Sequence, residues 1–153
     1  MKKFELTSEF VTFLGKKLFR IKALISFGNV KEGELGGFVE KEENLDQSGN
    51  AWVSGNARVS GDAWVSGNAW VSSNAWVSGN ADYATVHGFG SEYRTTTFFR
   101  TKAGDIGVRC GCFYGTLEEF RAKVKETHGE TKTAKEYLRV ADLMEFRFSK
   151  EEV

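Results

Sequence analysis

A six-residue repeat in the middle of the chain constrains its fold more than any other feature. From Gly49 to Ala84 the sequence consists of six hexads: GNAWVS, GNARVS, GDAWVS, GNAWVS, SNAWVS and GNADYA. An α-helix has about 3.6 residues per turn, so side chains that recur every six residues do not lie along one face of it. Repeated Gly and Asn disfavour a helix further. Within each hexad Ala and Val alternate with polar or aromatic neighbours, which is the two-residue period of a strand. The repeat therefore predicts short strands separated by corners.

Three such hexads can form the three sides of a triangular coil. Gly and Asn tolerate the left-handed backbone that a corner needs, and coils stack at a strand spacing of about 4.8 Å. The same step of six reaches back to Leu45 and Val39. This pattern resembles the left-handed parallel β-helix of hexapeptide-repeat proteins. We therefore expect a mainly β fold in which a short β-helix of this kind is capped by an N-terminal β-hairpin and a C-terminal α+β element.

Charge divides the chain into three segments. Residues 1–48 carry 8 basic and 8 acidic side chains, residues 49–92 carry 1 and 3, and residues 93–153 carry 12 and 10. A nearly uncharged repeat thus lies between two ordinary charged flanks. We predict an N-terminal β cap at 1–35, a hexapeptide-repeat solenoid at 36–88 and a C-terminal α+β domain at 89–153.

The flanks carry recognisable strand and helix signals. Gly15-Lys16 separates two alternating stretches and predicts a hairpin turn. Thr116 followed by Glu119 forms a capping box, which starts a helix that ends near Gly129. In the C-terminal flank we expect two strands, at Tyr93–Arg100 and Ile106–Phe113, and a second helix at about Thr133–Phe146.

Composition excludes several classes of protein. The 21 Lys and Arg balance the 21 Asp and Glu, so no net field favours nucleic acid or an anionic membrane. Cys110 and Cys112 are too few for a disulfide framework, which suits a reducing compartment. The sequence shows neither the apolar run of a membrane span nor the core of a signal peptide. We expect a cytoplasmic protein without membrane contact, for which direct binding of nucleic acid is disfavoured.

All four Trp residues occupy the outward position of a hexad. In a coil of three hexads Trp70 lies above Trp52, and Trp76 lies above Arg58. Trp and Arg are enriched at binding hot spots, and Arg over Trp is a cation–π arrangement. We predict protein binding or self-association through Trp52, Arg58, Trp64, Trp70 and Trp76, the alternative being that the flanks or another copy cover the rings structurally.

Few residues suggest catalysis. His87 lies where the hexad pattern ends, and hexapeptide-repeat acyltransferases use a His as general base with coenzyme A along the solenoid. Cys110, Cys112 and His128 lack the ligand number of a structural zinc site, so buried strand cysteines are the favoured interpretation. The sequence predicts no catalytic residue, no metal and no cofactor.

Segments in the N-terminal and the C-terminal parts of the chain resemble those of a known group of proteins. The run from Val30 to Glu40, followed by the hexads, resembles phage and prophage hexapeptide-repeat proteins. The segments Cys110–Phe113, Gly115–Phe120 and Glu126–Gly129 resemble a small C-terminal α+β domain of such proteins. That resemblance carries no catalytic residues. It implies a non-enzymatic accessory protein in the bacterial host cell that binds a host protein, as an anti-CRISPR-like inhibitor of a defence nuclease would.

Three other functions are open at this stage. The Trp positions could instead join copies of the chain into a structural oligomer. An acyltransferase-like enzyme using His87 is a further alternative. Capture of a small nucleotide signal by aromatic stacking is a variant of the binding function.

Overall fold

A computed structural model describes residues 2–90, 94–111 and 113–149. The described part contains strands β1 Phe4–Phe13, β2 Lys16–Ala23, β3 Leu35–Val39, β4 Trp52–Val53, β5 Arg58–Val59, β6 Trp70–Val71, β7 Trp76–Val77, β8 Tyr83–Phe89, β9 Arg94–Arg100, β10 Ile106–Cys110 and β11 Phe113–Thr116. Two helices follow, α1 Leu117–His128 and α2 Lys132–Phe148, and 3-10 turns lie at Glu42–Asn44 and Asn80–Asp82. Within these residues no helix is both long and apolar enough to cross a membrane.

The strands form three separate sheets. A five-stranded mixed sheet has the order β1-β2-β3-β5-β7, a four-stranded sheet has the order β11-β10-β9-β8, and β4 pairs with β6 alone. The β1–β2 and β2–β3 pairs are antiparallel, whereas β3, β5 and β7 run parallel. The four-stranded sheet is antiparallel throughout. The predicted N-terminal hairpin is confirmed, with Leu14 and Gly15 in the left-handed backbone region at its tip.

The predicted left-handed parallel β-helix is wrong, because the two larger sheets are mixed and antiparallel and the described residues form no closed solenoid. Two sides of the repeat pair as short parallel strands, and one of them joins the antiparallel hairpin. On the remaining side the pairing is reduced to an isolated bridge between Leu45 and Val65. The 3-10 turn at Glu42–Asn44 directly precedes Leu45, and the second turn lies at Asn80–Asp82. The sixth hexad, GNADYA, departs from the others in sequence at the second of these turns.

The predicted spacing of 18 residues is confirmed where one hexad pairs with another, whereas Val39 pairs with Val59 at a spacing of 20. Trp52 pairs with Trp70, and Arg58 pairs with Trp76, both in parallel register. The backbone N–H of Arg58 donates to the carbonyl of Ala75 at 2.9 Å. Ser73 replaces the Gly of its hexad and still has a φ of 58°, so the corner geometry imposes a left-handed backbone on a residue that disfavours it.

Two large hydrophobic clusters organise the described residues. The first contains the inward Ala and Val side chains of the hexads together with Phe4, Ile21 and Phe99. The second lies between the four-stranded sheet and the two helices and includes Phe98. Neighbouring residues of β9, Phe98 and Phe99, thus belong to different clusters because successive strand side chains point to opposite faces. The predicted division into three domains stays a prediction.

In the C-terminal flank the structure agrees with the predicted helices but differs from the predicted strands. Thr116 caps α1 by accepting a hydrogen bond from the Glu119 N–H, as the capping box predicts, and α2 extends one or two residues beyond its predicted ends. The single strand expected at 106–113 is wrong, since Gly111 has a φ of 59° and a turn separates β10 from β11. Strand β8 was not expected. Cys112 and the start of the predicted strand at Tyr93 lie outside the described residues.

Lys3 is a buried cation beneath the first hydrophobic cluster. Its side chain is 1% exposed, and its ammonium donates to the Ala51 carbonyl at 2.8 Å and lies 4.7 Å from the Phe27 ring centroid. Burial lowers the pKa of Lys3 to about 8 from 10.5, although the charge of Asp46 opposes this. The ammonium form is therefore less favourable in the folded chain than in water.

The stability of the protein should rise with pH between about 8 and 10.5, because the unfolded chain then holds a proton that folded Lys3 has lost. Below that window both states are protonated and the contribution is constant. We expect the rise to reach about 2–3 kcal/mol. Urea unfolding at pH 7 and pH 10.5 measures it, with Lys3→Met expected to remove the rise and exposed Lys17→Met expected to keep it. An equal rise in Lys3→Met would contradict the assignment.

Candidate functional site

The five residues that the sequence predicts as a binding surface lie in different environments. Trp52 is 0% exposed, whereas Trp64 is 51% exposed. Trp70, Trp76 and Arg58 are half-buried. The structure therefore does not bring the five together on one open face, and Trp64 is the one large exposed ring of the set.

Trp52 belongs to the core, although it occupies the outward position of its hexad. Its ring contacts Phe27 edge to face, with the centroids 5.4 Å apart. Gly36 lies so close that a Cβ placed there would be 2.7 Å from Trp52 Cζ2. The N-terminal flank thus covers this ring, which is the structural alternative that the sequence left open.

Trp70 is held by polar contacts on both sides. Its indole Nε1 donates to Ser54 Oγ at 2.7 Å, and its backbone N–H donates to Thr97 Oγ1 at 3.0 Å. The Arg109 guanidinium lies 4.2 Å from its ring centroid, a favourable cation–π distance. This ring therefore joins the repeat to the four-stranded sheet.

Arg58 and Trp76 form the predicted cation–π pair, with the guanidinium 5.7 Å from the ring centroid. Phe13 packs edge to face on Trp76 at 4.7 Å, and the Lys102 ammonium lies 5.9 Å from the same ring. Since the hairpin supplies Phe13, this pair too is partly covered by a flank.

Trp64 lies at an open depression with a volume of about 520 Å³. The carboxylates of Glu42, Glu43 and Asp46 line the same depression. We call these four residues the Trp64 face. The backbone fixes Trp64 in place, since its N–H donates to Asn80 Oδ1 at 2.9 Å and its carbonyl accepts from the Tyr83 hydroxyl.

The three carboxylates of the Trp64 face differ in the hydrogen bonds and ion pairs that they make. Glu42 accepts from Lys2 at 2.7 Å, a hydrogen bond that raises the pKa of Lys2. Asp46 accepts from the backbone N–H and the hydroxyl of Ser48, each at 3.0 Å. Glu43 is exposed and makes no ion pair with any residue in the described ranges. The face therefore offers unneutralised negative charge next to an aromatic ring.

Sequence reasoning identified Trp64 but missed its acidic neighbours. The step of six had reached Leu45, and the structure pairs Leu45 with Val65. The repeat spacing of 18 would instead pair Leu45 with Ala63, so the observed register differs by two residues. The sequence therefore did not place Glu43 and Asp46 near the ring.

The structure describes three of the candidate catalytic and metal residues: His87, Cys110 and His128. His87 is exposed on β8, where its Nδ1 lies 2.7 Å from Thr95 Oγ1. Cys110 is half-buried, so full burial of this thiol is wrong, and it lines a cavity together with His128. Within the described ranges no group of three or more His, Cys, Asp and Glu side chains could hold a metal ion. Cys112 lies outside those ranges.

No known protein family matches this chain, and no curated protein matches it either. The resemblance to phage and prophage hexapeptide-repeat proteins is accordingly corrected, because no family matches and the sheets do not form the parallel β-helix that it implies.

Proposed function

We propose that this chain is a non-enzymatic binding protein whose Trp64 face holds a basic surface of a partner protein. The observation that carries the proposal is the 51% exposed Trp64 ring in a depression lined by carboxylates. A Trp side chain at that exposure leaves apolar surface in water, which a partner would cover.

The chemistry of the face favours a cationic contact. A Lys or Arg of the partner would gain a cation–π contact with Trp64 and an ion pair with Glu43. Burial of the contact strengthens both interactions because the local dielectric falls. Since the backbone of Trp64 is already fixed by Asn80 and Tyr83, little ordering of the main chain is needed on binding.

A bacterial defence nuclease, such as a CRISPR effector, is the partner class that this proposal retains from the sequence. Proteins that hold nucleic acid carry Lys and Arg along the phosphate path. An acidic face with an exposed ring could occupy such a path and exclude the nucleic acid. The proposed setting is the cytoplasm of a bacterial cell.

An acyltransferase-like activity of His87 stays an untested alternative. Among the cavities described, neither the Trp64 depression nor the cavity that Cys110 lines includes His87. No observation therefore favours the enzyme over the binding protein.

Trp64→Ala should weaken partner binding by roughly 30-fold or more, as truncation of a hot-spot Trp does. The full chain would be immobilised and exposed to bacterial lysate, and retained basic proteins would then be titrated individually by calorimetry. Glu43→Lys should also weaken binding and reduce its dependence on salt, since the ion pair is lost. Tyr114→Ala is the matched control, because Tyr114 is 62% exposed and lies on β11.

Equal binding by Trp64→Ala and the unchanged chain would remove the Trp64 face from the proposal. Self-association through the Trp64 face is tested by the oligomeric state of the purified chain. If light scattering shows an oligomer that Trp64→Ala converts to a monomer, the face joins copies of this chain. The two results are distinguishable because the second needs no other protein.

A further inference from the structure

A second cavity, with a volume of about 310 Å³, lies between the four-stranded sheet and the two helices. It is separate from the Trp64 face and shares no lining residue with it. Four aromatic rings supply most of its apolar wall: Phe89, Phe113, Phe120 and Tyr137. These rings already pack on one another, since Phe120 contacts Tyr137 edge to face at 5.6 Å and Phe113 at 5.9 Å. The cavity is therefore bounded by side chains that are fixed by the second hydrophobic cluster.

The polar lining of the cavity is cationic or neutral. Lys123, Thr127 and His128 contribute from α1, and Arg94 contributes from β9. The described lining contains no Asp or Glu. Among the described residues Lys123 makes one ion pair, with Glu126 at 3.8 Å, and both side chains are more than half exposed. Such a pair is weak, so the ammonium remains able to bind another anion.

Two glycines make room for the polar groups of this cavity. A Cβ at Gly90 would overlap the hydroxyl of Tyr137, and one at Gly111 would overlap the guanidinium of Arg94. Both glycines also have positive φ, 82° and 59°, which other residues rarely adopt. The close approach of Tyr137 and Arg94 to the backbone thus depends on these positions.

The Tyr137 hydroxyl belongs to the wall of the cavity, where it is hydrogen-bonded to Cys110. Burial raises its pKa to about 12, and the neighbouring Cys110 adds to the effect. The phenol therefore keeps its proton at neutral pH. The Cys110 thiol itself accepts from Thr96 Oγ1 at 3.2 Å, which fixes the floor of the cavity.

We propose that this cavity binds a small organic anion with a flat aromatic body. The ring would lie among Phe113, Phe120 and Tyr137, and the acidic group would face Lys123 and His128. Charge complementarity supports the choice, because an anion meets cations and donors there and no described carboxylate. A volume near the lower end of the range for ligand pockets fits one or two fused rings and excludes a dinucleotide.

The test compares two probes of nearly equal shape, 2-naphthoate and its neutral analogue 2-naphthamide. Isothermal titration calorimetry with the full chain should show naphthoate binding about tenfold more tightly than the amide, because the amide lacks the charge-assisted contacts. Proton NMR should show the ring signals of Tyr137 and His128 shifting on addition of naphthoate. Shifts confined to Trp64 instead would overturn the assignment of the cavity.

Matched variants locate the binding. Lys123→Gln should reduce naphthoate affinity to that of the amide, whereas Lys125→Gln, an exposed change on the same helix and outside the cavity lining, should leave it unchanged. Thr127→Trp should fill the entrance and abolish binding of both probes, and circular dichroism would confirm that this variant is folded. Equal affinity for the two probes, or no binding of either at millimolar concentration, would overturn the proposal.

Discussion

Replacing Trp52 with Ala should lower the free energy of unfolding by about 3–5 kcal/mol, the usual cost of removing a large buried aromatic side chain. Trp52 is fully buried in the first cluster, where it packs on Phe27 and above Gly36. Truncation would leave a cavity that the short strands around it cannot close, because their backbones are fixed by parallel pairing with β6. Urea unfolding followed by far-UV circular dichroism measures the loss.

Trp64→Ala provides the control for that experiment, since Trp64 occupies the same position of its hexad and is half exposed. We expect it to change the free energy of unfolding by less than about 1 kcal/mol. Trp52→Phe should cost less than Trp52→Ala, because Trp52 Nε1 has no hydrogen-bond partner among the described residues and a ring is retained. Equal losses at Trp52 and Trp64 would contradict the difference in burial.

Gly36→Ala should destabilise the protein by about 3 kcal/mol, at the upper end for added volume in a packed interior. A Cβ at this position would lie 2.5 Å from the Val53 carbonyl oxygen and 2.6 Å from Ile21 Cγ1. The first of these atoms belongs to the backbone of β4, so a change of side-chain rotamer cannot relieve the overlap. Strand β4 itself would have to move away from β3.

Gly79→Ala is the matched substitution for this second experiment. A Cβ there meets nothing within 4 Å, and Gly79 has an extended backbone with a φ of −161°. The change should be neutral or stabilise the fold by about 0.5 kcal/mol, because Ala reduces the freedom of the unfolded chain. Thermal unfolding of the two variants in parallel would measure the contrast, and a similar loss in both would show that space at Gly36 is not the cause.

The hexads illustrate how far the sequence predicts this fold. Their period identified the strand positions, the inward Ala and Val residues and the pairing of Trp52 with Trp70, since all of these follow from local spacing. The sequence did not reveal that the hairpin would extend the sheet of β3, β5 and β7. Such pairing depends on which strand edge is free, a property of the assembled chain.

The candidate site, too, depends on contacts between distant segments that local sequence spacing does not predict. An outward position in a hexad predicts that Trp52 and Trp64 are equivalent, yet the N-terminal flank covers one of them and leaves the other exposed. The capping box at Thr116 could be identified from the sequence because it involves residues only three positions apart. The cavity at Tyr137 could not be predicted in this way, because its lining combines residues from four strands and both helices. The close approach of Tyr137 and Arg94 also depends on two glycines whose backbone angles no short sequence motif predicts.

Phe98 and Phe99 have a consequence for cooperativity. These neighbours on β9 enter different hydrophobic clusters, so displacement of this strand withdraws a buried ring from each. Neither cluster can open through β9 without exposing apolar surface of the other, and the free energy of that opening includes both contributions. The repeat and the helical segment are thus linked as one unit for local unfolding, although their sequences look unrelated.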